Sequence, residues 1–180
     1  MRSKKVSSYL YILTMTVFLS VSSHAEDLGP LTHKLSIFKK PIAAPNLRLK
    51  SMDDEIIDIK DLKGKVVVVN FWATWCPPCR REMSSLEKLH LAMLGKKVVV
   101  LAVNVGEDID TVFPFLGDID PSPSFPILFD SDAKVLNNWK VRGLPTTYII
   151  NPKGHIVYRA VGGREFDHPN IKQTIINLNK

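Results

Sequence analysis

The sequence contains few cysteines: two in 180 residues, Cys76 and Cys79. Small secreted domains that depend on covalent cross-links carry several cysteines, because their hydrophobic cores are too small to fold alone. This chain is 45% apolar and 23% charged, which is typical of one globular domain with a full core. A disulfide across three positions would also remove little chain entropy. The scarcity of cysteine therefore argues against a disulfide-stabilised scaffold.

The same scarcity argues against zinc. A structural zinc site uses four cysteine or histidine ligands in paired spacings. This chain offers two cysteines and five scattered histidines, at positions 24, 33, 90, 155 and 168. We therefore expect no metal, although a metal site and an inert disulfide remain alternatives to a redox-active pair.

Runs of Lys or Arg are also missing. The formal charge is +6, but residues 1–25 contain three basic and no acidic residues, which leaves 21 Lys and Arg against 18 Asp and Glu. A dispersed excess of this size does not indicate a nucleic-acid partner, so we expect none.

The N-terminal apolar run, residues 6–21, is shorter than the roughly 18 residues that a membrane span usually needs. It follows three basic residues and precedes Ser23-His24-Ala25, which resembles a small-x-small cleavage site. We expect residues 1–25 to be a signal peptide or, if uncleaved, a membrane anchor. Both alternatives predict a periplasmic or other extracytoplasmic location.

The remaining chain has the pattern of one α/β domain. Residues 26–40 show little pattern and are predicted to be a linker, followed by a domain over residues 41–180. The continuous β-branched runs 65–71 and 97–105 are typical of strands covered on both faces. Between them, apolar residues recur every three or four positions and predict a helix over residues 77–94. The other predicted elements are strands at 46–50, 55–59, 126–129, 146–150 and 155–161, and helices at 108–116, 131–141 and 167–178.

The two cysteines lie at the junction between the first of these buried strands and the predicted helix. Three positions apart at a helix start, they share one face, so their sulfur atoms can meet. Cys76 lies near unpaired N–H groups and the positive end of the helix dipole, which favour a thiolate. We expect Cys76 to attack and Cys79 to resolve the mixed disulfide. Pro77 and Pro78 fit the first helical turn, but they remove N–H donors that would stabilise the thiolate.

The motifs NFWATWCPPCRRE (residues 70–82) and RGLPTTYIINPKGHIVYRAVGG (142–163) resemble the thioredoxin superfamily, and especially its TlpA/ResA-type extracytoplasmic thiol–disulfide oxidoreductases. The resemblance covers residues 41–180. It implies a thioredoxin-like three-layer α/β fold, with a central mixed sheet, helices on both faces and an N-terminal β-hairpin. Residues 108–125 match the inserted element of this branch.

The resemblance implies a protein-disulfide oxidoreductase with Cys76 as nucleophile and Cys79 as resolver. Pro145 matches the cis-proline of the family, and Leu144 precedes it in the substrate-binding loop. Trp75, beside the nucleophile, is expected to shield it and to offer substrate surface. The family needs no cofactor beyond its redox disulfide. Its expected partners are protein thiols and disulfides, among them apocytochrome c cysteines, and a membrane-embedded electron donor; we expect a monomer.

Two departures from the family pattern stand out. Thioredoxins proper have a buried Asp where this chain has Asn70, so the usual proton acceptor beneath the resolving thiol is absent. Glu82 matches a Glu credited in the TlpA/ResA-type branch with adjusting cysteine acidity; the alternative is a solvated surface carboxylate. Many relatives also have a proline soon after this Glu, where the chain has Met83-Ser84, which leaves the start of the helix open.

Three other functions remain compatible with the sequence. The same chemistry can run in reverse, as an oxidase that donates its disulfide, because direction depends on the relative stability of dithiol and disulfide. A non-catalytic module can hold an extended segment in the groove between Trp75 and Pro145. A peroxidase is a more distant alternative.

Overall fold

The computed structural model describes residues 30–179. The expected signal peptide or anchor, residues 1–25, lies outside the described residues. Among residues 30–179, no helix combines the length and the hydropathy that crossing a membrane requires.

Six strands form one mixed sheet: β1 (Ser36–Ala43), β4 (Val66–Trp72), β5 (Val98–Val105), β6 (Ile127–Asp130), β7 (Thr146–Ile150) and β8 (His155–Val161). Their spatial order is β1-β8-β7-β4-β5-β6. The pairs β4–β5 and β5–β6 are parallel, and the other three pairs are antiparallel. The central strand β4 is buried along its whole length, as its run of valines predicts.

Alternate side chains of β4 enter two separate cores, because successive residues of a strand point to opposite faces of a sheet. One core contains Val66 and Val68 and packs against three helices, whereas the other contains Val67 and Val69. The three helices are α1 (Pro77–Ala92), α2 (Ile109–Gly117) and α4 (Pro169–Leu178), and the second core is covered by α3 (Lys134–Asn138). The predicted three-layer fold with an inserted helix, α2, between β5 and β6 is confirmed.

The N-terminal hairpin is also confirmed. Strands β2 (Arg48–Lys50) and β3 (Ile56–Asp58) pair antiparallel in a sheet of their own. A short 3-10 helix, Ile59–Leu62, leads from the hairpin to β4.

Strand β1 begins inside the stretch for which the sequence predicted a linker. Most of its residues are exposed, and Ile37 is 66% exposed, so the strand lacks the alternation of buried and exposed side chains by which strands are recognised. It lies at the sheet edge, where pairing with β8 requires only backbone groups.

Helix α3 is shorter than the predicted 131–141. Ala133 and Lys140 adopt left-handed backbone conformations, with φ of 56° and 55°, and a helix cannot continue through such residues. The carboxylate of Asp130 accepts hydrogen bonds from the backbone N–H groups of Val135 and Leu136, which fixes the start of the helix. By contrast, α1 runs unbroken from Pro77 through Met83 and Ser84, which settles where it starts.

Candidate active site

The paired cysteines lie at the junction of β4 and α1. Cys76 is the N-cap residue of α1, with an extended backbone, and Pro77 and Pro78 occupy the first helical positions. The Cys76 carbonyl accepts the N–H of Arg80 over 3.1 Å. Since the prolines have no N–H, the Cys79 N–H is the one donor of the first turn that has no acceptor in the described structure. One backbone donor is therefore available to a Cys76 thiolate.

The structure shows the oxidised form. The Cys76 and Cys79 sulfur atoms are bonded at 2.09 Å, and their Cα atoms are 5.3 Å apart. Cys79 is fully buried, whereas Cys76 is 4% exposed. Cys76 is thus slightly more exposed than Cys79. In this disulfide form, however, Cys76 is less exposed than its position at the tip of a helix suggests.

The loop of Leu144 and Pro145 reaches the cysteine turn through two glycines. The Leu144–Pro145 peptide bond is cis, and the Pro145 carbonyl accepts the N–H of Gly162 over 2.8 Å. The next residue, Gly163, lies so close to Pro78 that an added Cβ would be 3.2 Å from the Pro78 carbonyl oxygen. The backbone N–H and C=O of Leu144 make no hydrogen bond within residues 30–179.

Glu82 lies behind the cysteines on α1, three residues after Cys79 and on the same helical face. Its side chain is fully buried, which excludes the solvated surface carboxylate. Its Oε1 accepts a hydrogen bond from Nδ2 of Asn70 over 2.7 Å, and its Oε2 accepts one from the backbone N–H of Arg164 over 2.8 Å. The Asn70 amide also donates to Oγ1 of Thr147 over 2.9 Å.

Burial raises the pKa of Glu82 to about 8, because the ionised carboxylate loses its hydration. The hydrogen bonds from Arg164 and Asn70, and the charge of the Arg164 guanidinium, act in the opposite direction and lower this pKa. Desolvation is the largest of these effects. A carboxyl group with a pKa near neutrality can release and accept protons at physiological pH.

A second carboxylate, Glu107, holds the turn that precedes Cys76. Its side chain accepts hydrogen bonds from the backbone N–H of Thr74 over 2.9 Å and from the Thr74 hydroxyl over 2.5 Å. Nδ2 of Asn104 donates to the same carboxylate over 2.6 Å. These contacts connect the end of β5 to the cysteine turn.

Two tryptophans near the cysteines differ in environment. Trp75 is 67% exposed, whereas Trp72 is fully buried in the core. The Trp72 ring lies 5.7 Å from the ring of Phe115 on α2, and the Arg80 guanidinium lies 4.9 Å from the same ring. The inserted helix α2 therefore contacts a residue before the cysteine turn, Trp72, and a residue after it, Arg80. Pro77 is exposed and Pro78 half-buried, so the turn also presents surface beside Trp75.

A cysteine pair at the N-terminus of a helix that follows the central strand, together with a proline loop joined to that turn, defines a thioredoxin-like thiol–disulfide oxidoreductase. The chain belongs to the AhpC/TSA family, whose model matches residues 42–159. The resemblance seen in the sequence is thus confirmed.

Similar proteins support the same class. The thiol-disulfide oxidoreductase ResA of Bacillus subtilis is 39% identical over 119 residues, which are 66% of this chain and 65% of that protein. ResA of Oceanobacillus iheyensis is 34% identical over 154 residues, 83% of this chain and 76% of that protein. Among solved structures, a putative thiol:disulfide interchange protein DsbE from Chlorobium tepidum has a TM-score of 0.71 at 27% identity, covering 81% of this chain and all of that one.

Several residues of this site are not apparent from the sequence. Thr147, Arg164 and Glu107 reach it only through contacts distant along the chain. The sequence carries no signal for these pairings, since each depends on the packing of the sheet. Glu82 was identified through the resemblance alone.

Proposed function

We propose that this chain reduces disulfides of other proteins outside the cytoplasm, using the dithiol form of Cys76 and Cys79. The observation that carries the proposal is the placement of Cys76 at the tip of α1, with Cys79 buried behind it on the same helix. A free N–H and the helix dipole favour ionisation of Cys76, whereas a fully buried Cys79 is protected from substrates.

The reaction proceeds in two exchange steps. The Cys76 thiolate attacks one sulfur of a substrate disulfide, forming a mixed disulfide and releasing the other substrate sulfur as a thiolate. Cys79 then attacks the Cys76 sulfur, and the second substrate sulfur leaves. The substrate gains two electrons and two protons, and the protein ends with the Cys76–Cys79 disulfide.

Glu82 serves in the second step. Cys79 must lose its proton before it attacks, and Glu82 is the buried carboxyl three residues further along the same helical face. With a pKa near 8, its ionised form can accept that proton at physiological pH. Asn70 and the Arg164 N–H hold the carboxyl group in position.

The substrate lies as an extended segment over Trp75, Pro77 and Pro78 and pairs with the backbone of Leu144 beside Pro145. The exposure of Trp75 and the unpaired backbone groups of Leu144 support this arrangement. In this arrangement the protein acts as a monomer on one substrate chain at a time.

An extracytoplasmic reductase must be recharged, because its compartment is oxidising. We propose that residues 1–25 direct export or anchor the chain, and that a membrane-embedded donor supplies the two electrons. The resemblance to ResA-type proteins supports apocytochrome c cysteines as one substrate. No further cofactor is needed for the exchange steps.

A trapping experiment tests the proposal. A Cys79→Ser variant cannot resolve the mixed disulfide, so it is expected to accumulate protein adducts through Cys76 in its own compartment. A Cys76→Ser variant serves as the control and is expected to form none. Adducts with apocytochrome c and with the membrane-embedded electron donor would support the proposal.

The redox potential separates the two directions of the reaction. Potentials in this fold range from about −270 mV to about −120 mV, and a value near −120 mV would favour a disulfide-donating oxidase.

A further inference from the structure

A cleft of about 170 Å³ opens beside the Leu144–Pro145 loop. It is lined by residues 140–143, which lead into that loop, and by side chains of β7 and β8. Val161 in the cleft pairs with Thr146, the residue directly after Pro145. The cleft therefore adjoins the backbone with which a substrate segment would pair.

The polar lining of this cleft is cationic. Lys140, Arg142 and Arg159 line it and are exposed, and no Asp or Glu is among its lining residues. Within residues 30–179, these three side chains make no hydrogen bond and no ion pair; the Arg159 guanidinium lies 6.0 Å from the ring of Phe38. Their charges are thus not neutralised by neighbouring carboxylates.

The other polar side chains of the cleft already have partners. The Thr146 hydroxyl donates to the Gly143 carbonyl over 2.7 Å, and the Tyr148 hydroxyl donates to the Trp139 carbonyl over 3.0 Å. The three cationic side chains are therefore the groups left to recognise a ligand. Lys and Arg form strong charge-assisted hydrogen bonds with carboxylates and phosphates, and a carboxylate is the one of these that the side chains of an unmodified peptide supply.

Lys140 occupies a backbone position that does not favour lysine. Its φ is 55°, in the left-handed region that Gly and Asn adopt at lower steric cost. Lys140 nevertheless lines the cleft, next to Val141, Arg142 and Gly143.

We propose that the cleft binds an Asp or Glu carboxylate of the substrate segment, within about four residues of the substrate's reactive cysteine. An extended segment rises about 3.3 Å per residue, so a segment paired with Leu144 brings such a side chain to Arg142 and Lys140. This inference rests on the reductase function proposed above and adds a preference for acidic substrates.

The shape of the site favours a peptide side chain over an anionic membrane surface. The cations line a concavity whose floor includes Thr146 and Tyr148, instead of standing on a flat or convex face. A lipid headgroup layer contacts convex basic patches, whereas a side chain can enter a cleft. Membrane binding is accordingly an outcome that contradicts the proposal.

The test uses the reduced full chain and three peptides of one sequence, in which the residues flanking a single cysteine are acidic, neutral or basic. The cysteine is capped with 5-thio-2-nitrobenzoate. Attack of Cys76 on the peptide sulfur releases this coloured thiolate, and Cys79 then releases the peptide thiol and closes the protein disulfide. The rate of colour release gives the second-order rate constant for each peptide.

We expect the acidic peptide to react about three to ten times faster than the basic peptide at low ionic strength. The ratio should fall towards one in about 1 M salt, where the screening length is only about 3 Å. In Lys140→Glu/Arg142→Glu, the order of the acidic and basic peptides should reverse. The matched control is Lys65→Glu, an exposed lysine at the opposite end of β4, and it should keep the wild-type ratio.

Equal rates for the acidic and basic peptides would overturn the proposal, as would a preference that persists in Lys140→Glu/Arg142→Glu. Binding to phosphatidylglycerol vesicles that is lost in this double variant, without a peptide preference, would assign the cations to a membrane instead. Failure of the reductase function is distinguishable, because the neutral peptide would then release colour no faster with the protein than with a free thiol. Arg159→Gln removes one charge without reversing it. A reduced preference for the acidic peptide in this milder variant would show that the change in Lys140→Glu/Arg142→Glu does not reflect misfolding.

Discussion

The side-chain amide of Asn70 donates a hydrogen bond to Oε1 of Glu82 over 2.7 Å, and both residues are fully buried. Asn70 cannot ionise, so this buried polar pair contains one titratable group instead of two. Burial therefore acts on Glu82 alone and raises its pKa to about 8. The titratable group of this buried pair thus lies on α1, whereas thioredoxins proper have their buried Asp at the Asn70 position on β4.

Replacing Glu82 by Gln should slow the resolving step while leaving the first attack by Cys76 close to wild type. The amide keeps the shape of the side chain but cannot accept the Cys79 proton. We expect the mixed disulfide to decay on the order of tenfold to a hundredfold more slowly. Acid quenching followed by mass spectrometry measures its lifetime.

Glu87→Gln is the matched control for that experiment. Glu87 is also buried on α1, but it accepts hydrogen bonds from the backbone N–H and the hydroxyl of Ser124, over 2.8 and 2.6 Å. It should leave the lifetime of the mixed disulfide unchanged. A Glu82→Gln variant that resolves as fast as wild type would remove Glu82 from the reaction.

Glu82 should also make the stability of the oxidised protein depend on pH. An unfolded Glu titrates near 4.3, whereas Glu82 titrates near 8 in the folded protein. Between these values the folded state holds a proton that the unfolded state lacks, so the free energy of unfolding falls as pH rises. The fall should amount to a few kcal/mol, on the order set by a shift of this size.

Denaturant titrations of the wild type and of Glu82→Gln between about pH 4.5 and pH 9 measure this dependence. The oxidised form is used because its cysteines do not titrate. The difference in unfolding free energy between the two proteins should change across the window and level off above about pH 8. A difference that is constant with pH would contradict the raised pKa.

Glu107→Ala should destabilise the turn before Cys76. The substitution leaves the Thr74 N–H and the Asn104 amide without their acceptor, which costs about 1–3 kcal/mol for a group that stays out of water. Thermal unfolding measures the loss. Glu107→Gln retains one acceptor oxygen and should recover part of the stability; equal losses in both variants would show that hydrogen bonding to Thr74 is not the cause.

Gly163→Ala should disturb the contact between the proline loop and the cysteine turn. Its Cβ would lie 2.6 Å from Cδ2 of Leu31 and 3.2 Å from the Pro78 carbonyl oxygen. The Leu31 side chain can move, but the Pro78 backbone resists, so we expect a loss of about 1–3 kcal/mol, as for overpacked sites.

Gly117→Ala is the control, because nothing lies within 4 Å of its added Cβ and it sits at the end of α2. It should be neutral or slightly stabilising. Calorimetry of the two alanine variants compares them directly, and equal stability would contradict the close approach at Gly163.

The sequence predicts the parts of the fold that depend on local pattern. The valine runs of β4 and β5 and the apolar spacing of α1 each fall within a few residues of the structure. Strand β1 was missed because an exposed edge strand carries no alternating pattern. The short length of α3 was missed because the left-handed residues Ala133 and Lys140 are neither glycine nor asparagine.

The site shows the same division. The cysteine pair is evident from its spacing, but the buried Glu82 carboxylate is held by the backbone N–H of Arg164, which is 82 residues away in the chain. Likewise Glu107 reaches Thr74 across 33 residues. Such contacts follow from how the strands are ordered in the sheet, and no local pattern encodes them.

The pH dependence of alkylation in the reduced protein tests the central claim most directly. Iodoacetamide labelling of each cysteine, followed by mass spectrometry between about pH 5 and pH 10, gives two titration curves. The account predicts that Cys76 reacts first, with an apparent pKa below the roughly 8.5 of a free thiol, and that Cys79 stays protected. A Cys76 no more reactive than a free thiol at neutral pH, or a Cys79 that reacts faster, would contradict it.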